Sequence, residues 1–396
     1  MTNSKIRICY TVDSLYAGGA ERYVALLAGG LDRSEFDATV IAKNGPGLDA
    51  WCGQVGAAGT PVTRLRMDMP FRPFHAIGVY RSFLERTPDI VHVNIPGPYD
   101  GQMGLLAPIA RLAGARRIVV TEHLPRVERL WKRALVKKLA YRYVDRVITI
   151  CQANAEPLIN RQGVGSGVID VVYNGIPASY GHGRDKWRQA GRGELELDEV
   201  TVGIVYVGSL ISRKGIGTLI DALAGLPHRD AVPWRLFGIG EGEERDALAA
   251  RAASKGIGDR VEFLGARSES EVERLLCASD LLVVPSFMEG MPYVILEAMA
   301  CSLPVVASRV DGIPEAVIEG ETALLTAPGD VEGLSSAINR FLEAPELRRR
   351  VGEAGRQRFE RLFTLDRHVA CMERLYRTLL VGRGSGGRQR LDGVTR

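Results

Sequence analysis

Short runs of β-branched and other apolar residues alternate with segments of helical period along most of the chain. A run that is apolar at successive positions predicts a strand buried on both faces, and the intervening helices supply the cover. In the first half the pattern predicts strands at 5–12, 36–42, 62–66, 90–94, 117–122, 146–150 and 169–172. Helices lie between them, such as 20–31, where Ala20, Val24, Leu27 and Leu31 repeat at helical spacing. The pattern lapses at 174–199, where Gly175, Pro177, Gly181, Gly183, Gly191 and Gly193 stand among mixed charges, and a domain boundary is expected there. A second series follows, with strands at 200–207, 234–238, 261–264, 281–285, 304–308 and 322–326 and helices at 217–226, 243–253, 269–278 and 292–301. After Glu332 the reading is helical, and the Gly- and Arg-rich tail 382–396 is expected to be disordered. The fold class is therefore α/β, with two doubly wound domains whose ligands belong at the carboxyl ends of the strands.

Composition narrows this picture without changing it. A chain of 396 residues, 46% hydrophobic and 25% charged, suits two soluble domains. The net charge of +4 fits anionic small molecules or a lipid surface, and no basic stripe interleaved with stacking aromatics points to nucleic acid. Cys9, Cys52, Cys151, Cys277, Cys301 and Cys371 are scattered among apolar neighbours without Cys-x-x-Cys spacing, so they are expected to be reduced core residues. The N-terminal residues lack the apolar core of a signal peptide, and no run reaches the ~20 apolar residues that span a bilayer. The cytosol is the expected compartment.

Four places carry candidate chemistry. Glu289 and Glu297 flank one of the most apolar stretches of the chain, with Gly290 and Pro292 marking a loop that turns into a helix and Pro292 expected at its first position. Free N–H groups at that helix start attract an anion, while carboxylates accept hydrogen bonds from hydroxyls. A phosphorylated sugar offers both. Gly18 and Gly19 follow the first strand and open a helix, a place where backbone can approach phosphate or simply turn. Lys214, in Ser212-Arg213-Lys214-Gly215, follows a strand and is either a solvated surface charge or a contact to an anion. His123 ends the strand Ile118-Val119-Val120-Thr121-Glu122, a position shared by structural histidines and ligand contacts.

In order, the pieces YAGGAER, VVTEH, VVYNGI, VGSLISRKGIGTLIDAL, LFGIGEGEERDAL, VEFLG, SDLLVVPSFMEGMPYVILEAMACSLPVVAS and GIPEAV resemble the retaining glycosyltransferases of family 4. The resemblance implies the GT-B fold, two Rossmann-like domains facing across a cleft. It divides the chain into an acceptor-side domain 1–178, a nucleotide-sugar domain 179–364, a helix 365–381 returning to the first domain, and the tail. It also implies transfer of a hexose-type sugar from a UDP- or GDP-linked donor to a glycan, lipid-linked or small-molecule acceptor. Neither cofactor nor metal is implied. His123, Glu289 and Lys214 are then the catalytic candidates, and Gly18, Gly19, Asn174, Ser209, Arg213, Lys214, Glu289, Gly290, Met291, Pro292, Tyr293 and Glu297 the donor-binding ones. One departure stands out: Ser209 occupies a position where the family usually has arginine, which weakens the diphosphate clamp unless Arg213 substitutes. The alternatives are a catalytically weak sugar-nucleotide-binding partner of another transferase and a sugar-nucleotide 2-epimerase.

The segment 126–146 carries Arg126, Arg129, Lys132, Arg133, Lys137, Lys138, Arg142 and Arg146 beside Leu130, Trp131, Leu135, Leu139 and Tyr143. As a basic amphipathic helix it either rests on anionic lipid at the inner face of a membrane or buries its apolar stripe in the core and leaves its charges in water.

Overall fold

The computed structural model describes residues 4–67, 74–97, 105–125, 131–227 and 231–381. The chain forms two compact units, one of residues 1–174 and 365–396 and the other of residues 175–364. The first is built on a seven-stranded parallel sheet in the order β3-β2-β1-β4-β5-β6-β7, comprising β1 (Ile6–Val12), β2 (Phe36–Lys43), β3 (Val62–Leu65), β4 (Ile90–Ile95), β5 (Arg117–Glu122), β6 (Arg146–Thr149) and β7 (Ile169–Val171). The second has six parallel strands in the order β10-β9-β8-β11-β12-β13: β8 (Val202–Val207), β9 (Trp234–Ile239), β10 (Val261–Gly265), β11 (Leu281–Val284), β12 (Val305–Ser308) and β13 (Ala323–Thr326). Every residue of β4, β11 and β12 is buried, which explains why these strands read as continuous apolar runs.

In the first unit Val91, Val93 and Ile118 of the sheet pack against Val79, Phe83 and Leu106 of the helices. In the second, Ile204, Leu236 and Val283 meet Leu219, Ile220 and Phe341. The C-terminal helix Leu365–Val381 belongs to the first unit and packs on the helix Gly19–Gly30 so closely that a Cβ on Gly30 would stand 2.8 Å from a Val369 methyl.

Three expectations need correction. The lapse at 174–199 contains a regular helix, Arg184–Glu194. Its glycines read as breakers, but Gly191 is a packing position, since a Cβ there would come within 2.6 Å of the Ala278 side chain and 3.0 Å of the Arg274 carbonyl. Pro292 is not the first helical residue: its backbone is extended, it caps the helix, and Tyr293 begins the turn. Among the described residues the basic segment is helical over Trp131–Ala140 and then gives way to the tight turn Tyr141–Tyr143 and β6; residues 126–130 and the tail 382–396 lie outside the described residues. Among the described residues no helix is long and apolar enough to cross a membrane.

Candidate active site

In the second unit the strand order turns outward from the parallel pair β8 and β11. Loops leaving such a pair diverge and open a crevice beyond the strand ends. Here they are also tied together. The Phe287 N–H donates to the Arg213 carbonyl at 2.9 Å, and Gly215, at φ 69°, sits where a Cβ would be 2.0 Å from the Pro285 carbonyl oxygen. Only glycine fits both the left-handed backbone and the close approach.

That junction brings four sequence candidates into one cluster. Lys214 Nζ is 2.5 Å from Glu289 Oε1, which also accepts from the Ser286 hydroxyl at 2.8 Å. Arg213 Nη1 donates to the Met288 carbonyl at 2.7 Å and stands 4.0 Å from Glu289 Oε2. Ser209 is on the same loop with an exposed side chain, and its carbonyl accepts from the Tyr206 hydroxyl at 2.8 Å. Glu289 is only 7% exposed, so it is not a free loop acid. Its own N–H donates to Asp311 Oδ2 at 2.8 Å. Burial raises the Asp311 carboxyl and the Glu289 charge adds to the rise, against the lowering effects of that N–H and of Arg213. Two cations thus face two acids, and an incoming anion must compete with carboxylates for Lys214 and Arg213.

The peptide chain continues from this cluster into the helix Tyr293–Ala300. The Gly290 carbonyl accepts from the Gly312 N–H at 3.1 Å, Met291 is 2% exposed, and Glu297 is buried in the second helical turn. Among the described residues no group of three or more His, Cys, Asp or Glu side chains could hold a metal ion.

The first unit has its own switch point, between β1 and β4. Gly18 caps the helix Gly19–Gly30, and its N–H donates to Glu21 Oε2 at 2.7 Å while the Ser14 hydroxyl donates to the other carboxylate oxygen. Burial raises the Glu21 carboxyl against the lowering effect of these donors. His123, after β5, is 6% exposed; its N–H donates to the Ile95 carbonyl at 3.1 Å and its carbonyl accepts from Asn154 at 2.8 Å. Burial, reinforced by the charge His368 would carry, holds its pKa down near 3, so the ring is neutral. Asn174, the last residue of this stretch of the unit, is 2% exposed.

His123 belongs to a polar cluster around Tyr23, whose ring meets His123 and His368 edge-on at 4.8 and 5.0 Å. His92 is hydrogen-bonded through both ring nitrogens, to the Tyr376 hydroxyl and the Thr121 hydroxyl, each at 2.7 Å. His368 contacts the Tyr173 carbonyl at 2.8 Å. Through His368 and Tyr376 the C-terminal helix is therefore anchored by polar contacts as well as apolar ones.

Sequence reasoning missed Ser286, Asp311 and Glu21. Glu21 had a readable signal, because an acid three residues after a cap residue is the capping-box pattern. Ser286 and Asp311 had none, since only the folded backbone brings residues of separate loops to Glu289.

Residues 17–180 match the family described as Glycosyltransferase Family 4, and residues 188–358 match Glycosyl transferases group 1. The chain is 34% identical over 229 residues to the glycogen synthase of Mycobacterium tuberculosis (strain ATCC 25618 / H37Rv), covering 56% of this chain and 51% of that protein. It is 35% identical over 199 residues to the D-inositol 3-phosphate glycosyltransferase of Mycobacterium sp. (strain KMS), covering 50% and 45% respectively. The chain thus spans about half the length of these curated relatives. The crystal structure of Anabaena HepE in complex with UDP and glucose superposes with a TM-score of 0.81 at 22% identity, covering 94% of this chain and all of that one, which shows a shared fold. With both of its units matched in sequence and its fold shared with that structure, the chain belongs to the family 4 glycosyltransferases of the GT-B fold.

Proposed function

We propose that this protein is a retaining, metal-independent glycosyltransferase that moves a hexose-type sugar from a UDP- or GDP-linked donor to a glycan, lipid-linked or small-molecule acceptor. The observation that carries the proposal is the convergence of Arg213, Lys214, Ser286 and Glu289 at the switch point of the second unit. Breaking the bond between the anomeric carbon and phosphate puts negative charge on the diphosphate, and stabilising that charge is the largest task of the site. Lys214 and Arg213 meet it, with Arg213 standing in for the charge that Ser209 lacks. As the diphosphate draws the cations, Glu289 is released to accept hydrogen bonds from sugar hydroxyls. Glu297 is assigned to the ribose, Gly290, Met291 and Tyr293 to the sugar side of the helix start, and Pro292, with no N–H to give, to shaping that turn. In the first unit the residues proposed for the reaction are Gly18, Gly19, Asn174 and neutral His123, in the roles that the family resemblance implies. The resemblance to family 4 implies a same-face displacement, with the leaving phosphate taking the acceptor proton. The related Anabaena structure, which holds UDP and glucose, favours UDP among the bases.

The test is release of nucleoside diphosphate from UDP- and GDP-sugars over an acceptor panel. Lys214→Ala and Glu289→Gln are each expected to lower turnover about 10- to 100-fold, the equivalent of one charge-assisted contact of about 1.5 to 3 kcal/mol. Variants with near-wild-type rates and an intact fold would remove these residues from the site. Donor binding without any transfer would favour the sugar-nucleotide-binding partner.

Peripheral membrane contact is part of the proposal. The helix Trp131–Ala140 inverts the usual arrangement, because Lys137 points inward to pair with the buried Glu122 at 2.6 Å, and Tyr141 donates to the same carboxylate. Leu135, Val136, Leu139 and Tyr143 remain between 45% and 48% exposed, beside exposed Lys138 and Arg142. An apolar outer face with basic flanks suits an anionic bilayer. Leu135→Ser with Leu139→Ser should abolish sedimentation with vesicles containing anionic lipid, and unchanged sedimentation would refute the contact.

A further inference from the structure

The cysteines of the second unit meet in its interior. Residues 175–364 hold only Cys277 and Cys301, the other four lying in the first unit. Cys277 is in the last turn of the helix Glu269–Ala278, and Cys301 directly follows the helix Tyr293–Ala300. Their sulfurs are 3.3 Å apart and both residues are 1% exposed. The gap exceeds a disulfide bond by only about 1.3 Å, because S–S bonds measure about 2.05 Å. Scattered structural cysteines do not need this arrangement: two thiols from separate helices, aimed at each other.

The two sulfurs are also chemically unequal. The hydrogen bond with Cys301 lowers the Cys277 thiol, burial and Glu273 oppose that, and Arg184 and Arg188 support it. Cys301 is pushed well above the usual thiol range by the same hydrogen bond and by burial. In this geometry the Cys277 thiol donates to the Cys301 sulfur, so an attacking and a resolving sulfur stand within reach of each other.

We propose that Cys277 and Cys301 are a reversible redox pair, closed to a disulfide by hydrogen peroxide, that staples the two helices. The Cys277 thiolate attacks one peroxide oxygen and the O–O bond breaks. The departing hydroxide takes up a proton as water, leaving Cys277 as the sulfenic acid. The Cys301 sulfur then attacks the sulfenic sulfur; the S–S bond forms, the S–O bond breaks, and the hydroxide leaves with the Cys301 proton as a second water. Two thiols and one peroxide give one disulfide and two waters, with two electrons passing from sulfur to oxygen. Peroxide, being small, suits a buried pair, and burial makes the first step slow.

The Cys301 side is held in place before closure. Its N–H donates to the Glu297 carbonyl at 2.9 Å, Arg356 donates to the Ala300 carbonyl, and a Cβ on Gly352 would stand 2.1 Å from the Ser302 carbonyl oxygen. The end of the Cys277 helix is held as well, by Arg188 and Arg192 on the Ala278 carbonyl, each at 3.4 Å, so closure draws on the two side chains. A link between residues 24 apart restricts the unfolded chain, so the oxidised protein should melt about 5 °C or more above the reduced one.

The full chain is treated with hydrogen peroxide, its remaining thiols are alkylated after denaturation, and peptides are mapped by mass spectrometry alongside melting curves before and after dithiothreitol. Expected are the loss of two of the six thiols, a cross-linked Cys277–Cys301 peptide lighter by two hydrogens, a raised Tm, and reversal of all three by the reductant. Cys277→Ala and Cys301→Ala should each abolish the cross-link. The proposal is overturned by six remaining thiols, by a cross-link between other cysteines, by sulfinic acid at Cys277 in place of the cross-link, or by a cross-link that leaves Tm unchanged or lower. None of these readouts depends on sugar transfer.

Discussion

The two units share a sheet topology and differ in what they bury as polar groups. The first surrounds Tyr23 with neutral rings: burial holds His92 and His123 near 3 and His368 near 4. Both units bury ion pairs, in the first Lys137 with Glu122 at 2.6 Å and Lys43 with Asp13 at 3.6 Å, and in the second one of them stands at the switch point. Asp280 takes Arg188 at 2.6 Å and Arg192 at 3.0 Å, and Glu289 takes Lys214 at 2.5 Å. A neutral cluster fastens the C-terminal helix without creating a field that draws anions, whereas cations held at a switch point can be recruited by one.

Acid should separate the units most strongly. Below about pH 6.5 the unfolded chain protonates its histidines while the folded first unit keeps three of them neutral, so their contribution is complete above that pH and falls as pH drops toward 4. The expected loss between pH 6.5 and 4.5 is about 2 kcal/mol per histidine. Glu21 and Asp170, whose carboxyls burial raises, offset part of it. In the second unit burial would raise Asp280, but Arg188, the Gly203 N–H and Arg192 outweigh that and hold it below the usual carboxylate range, so its contribution survives this window. Protection free energies from hydrogen exchange, compared in β1 and β8 at the two pH values, should fall in β1 and hold in β8. Parallel losses would break the comparison.

Gly215→Ala should act next, and only on the second unit. It places a Cβ 2.0 Å from the Pro285 oxygen at a left-handed φ of 69°, so a cost of about 3 kcal/mol is expected together with a rise in the Michaelis constant for donor. Melting and steady-state kinetics check both, and a variant with unaltered donor affinity would show that the loop junction does not position Lys214.

Much of this was legible in the sequence because buried strands write themselves as apolar runs; β4, β11 and β12 are examples. The helix Arg184–Glu194 was not, since Gly191 serves helix packing while looking like a breaker. Lys214 and Glu289 could each be singled out from local motifs, but their pairing spans 75 positions and only the parallel neighbours β8 and β11 reveal it. His92 and His368 gave no local signal at all, because their shared cluster is assembled from β4 and the C-terminal helix.

The second unit's switch point is the place proposed to receive the sugar nucleotide. Hydrogen–deuterium exchange with and without saturating UDP-glucose, and then GDP-linked sugars, tests it most directly. Protection concentrated in 208–217 and 285–300, and reduced by Lys214→Ala, is the expected result. Binding that leaves both segments unprotected and shields other parts of the chain would contradict it.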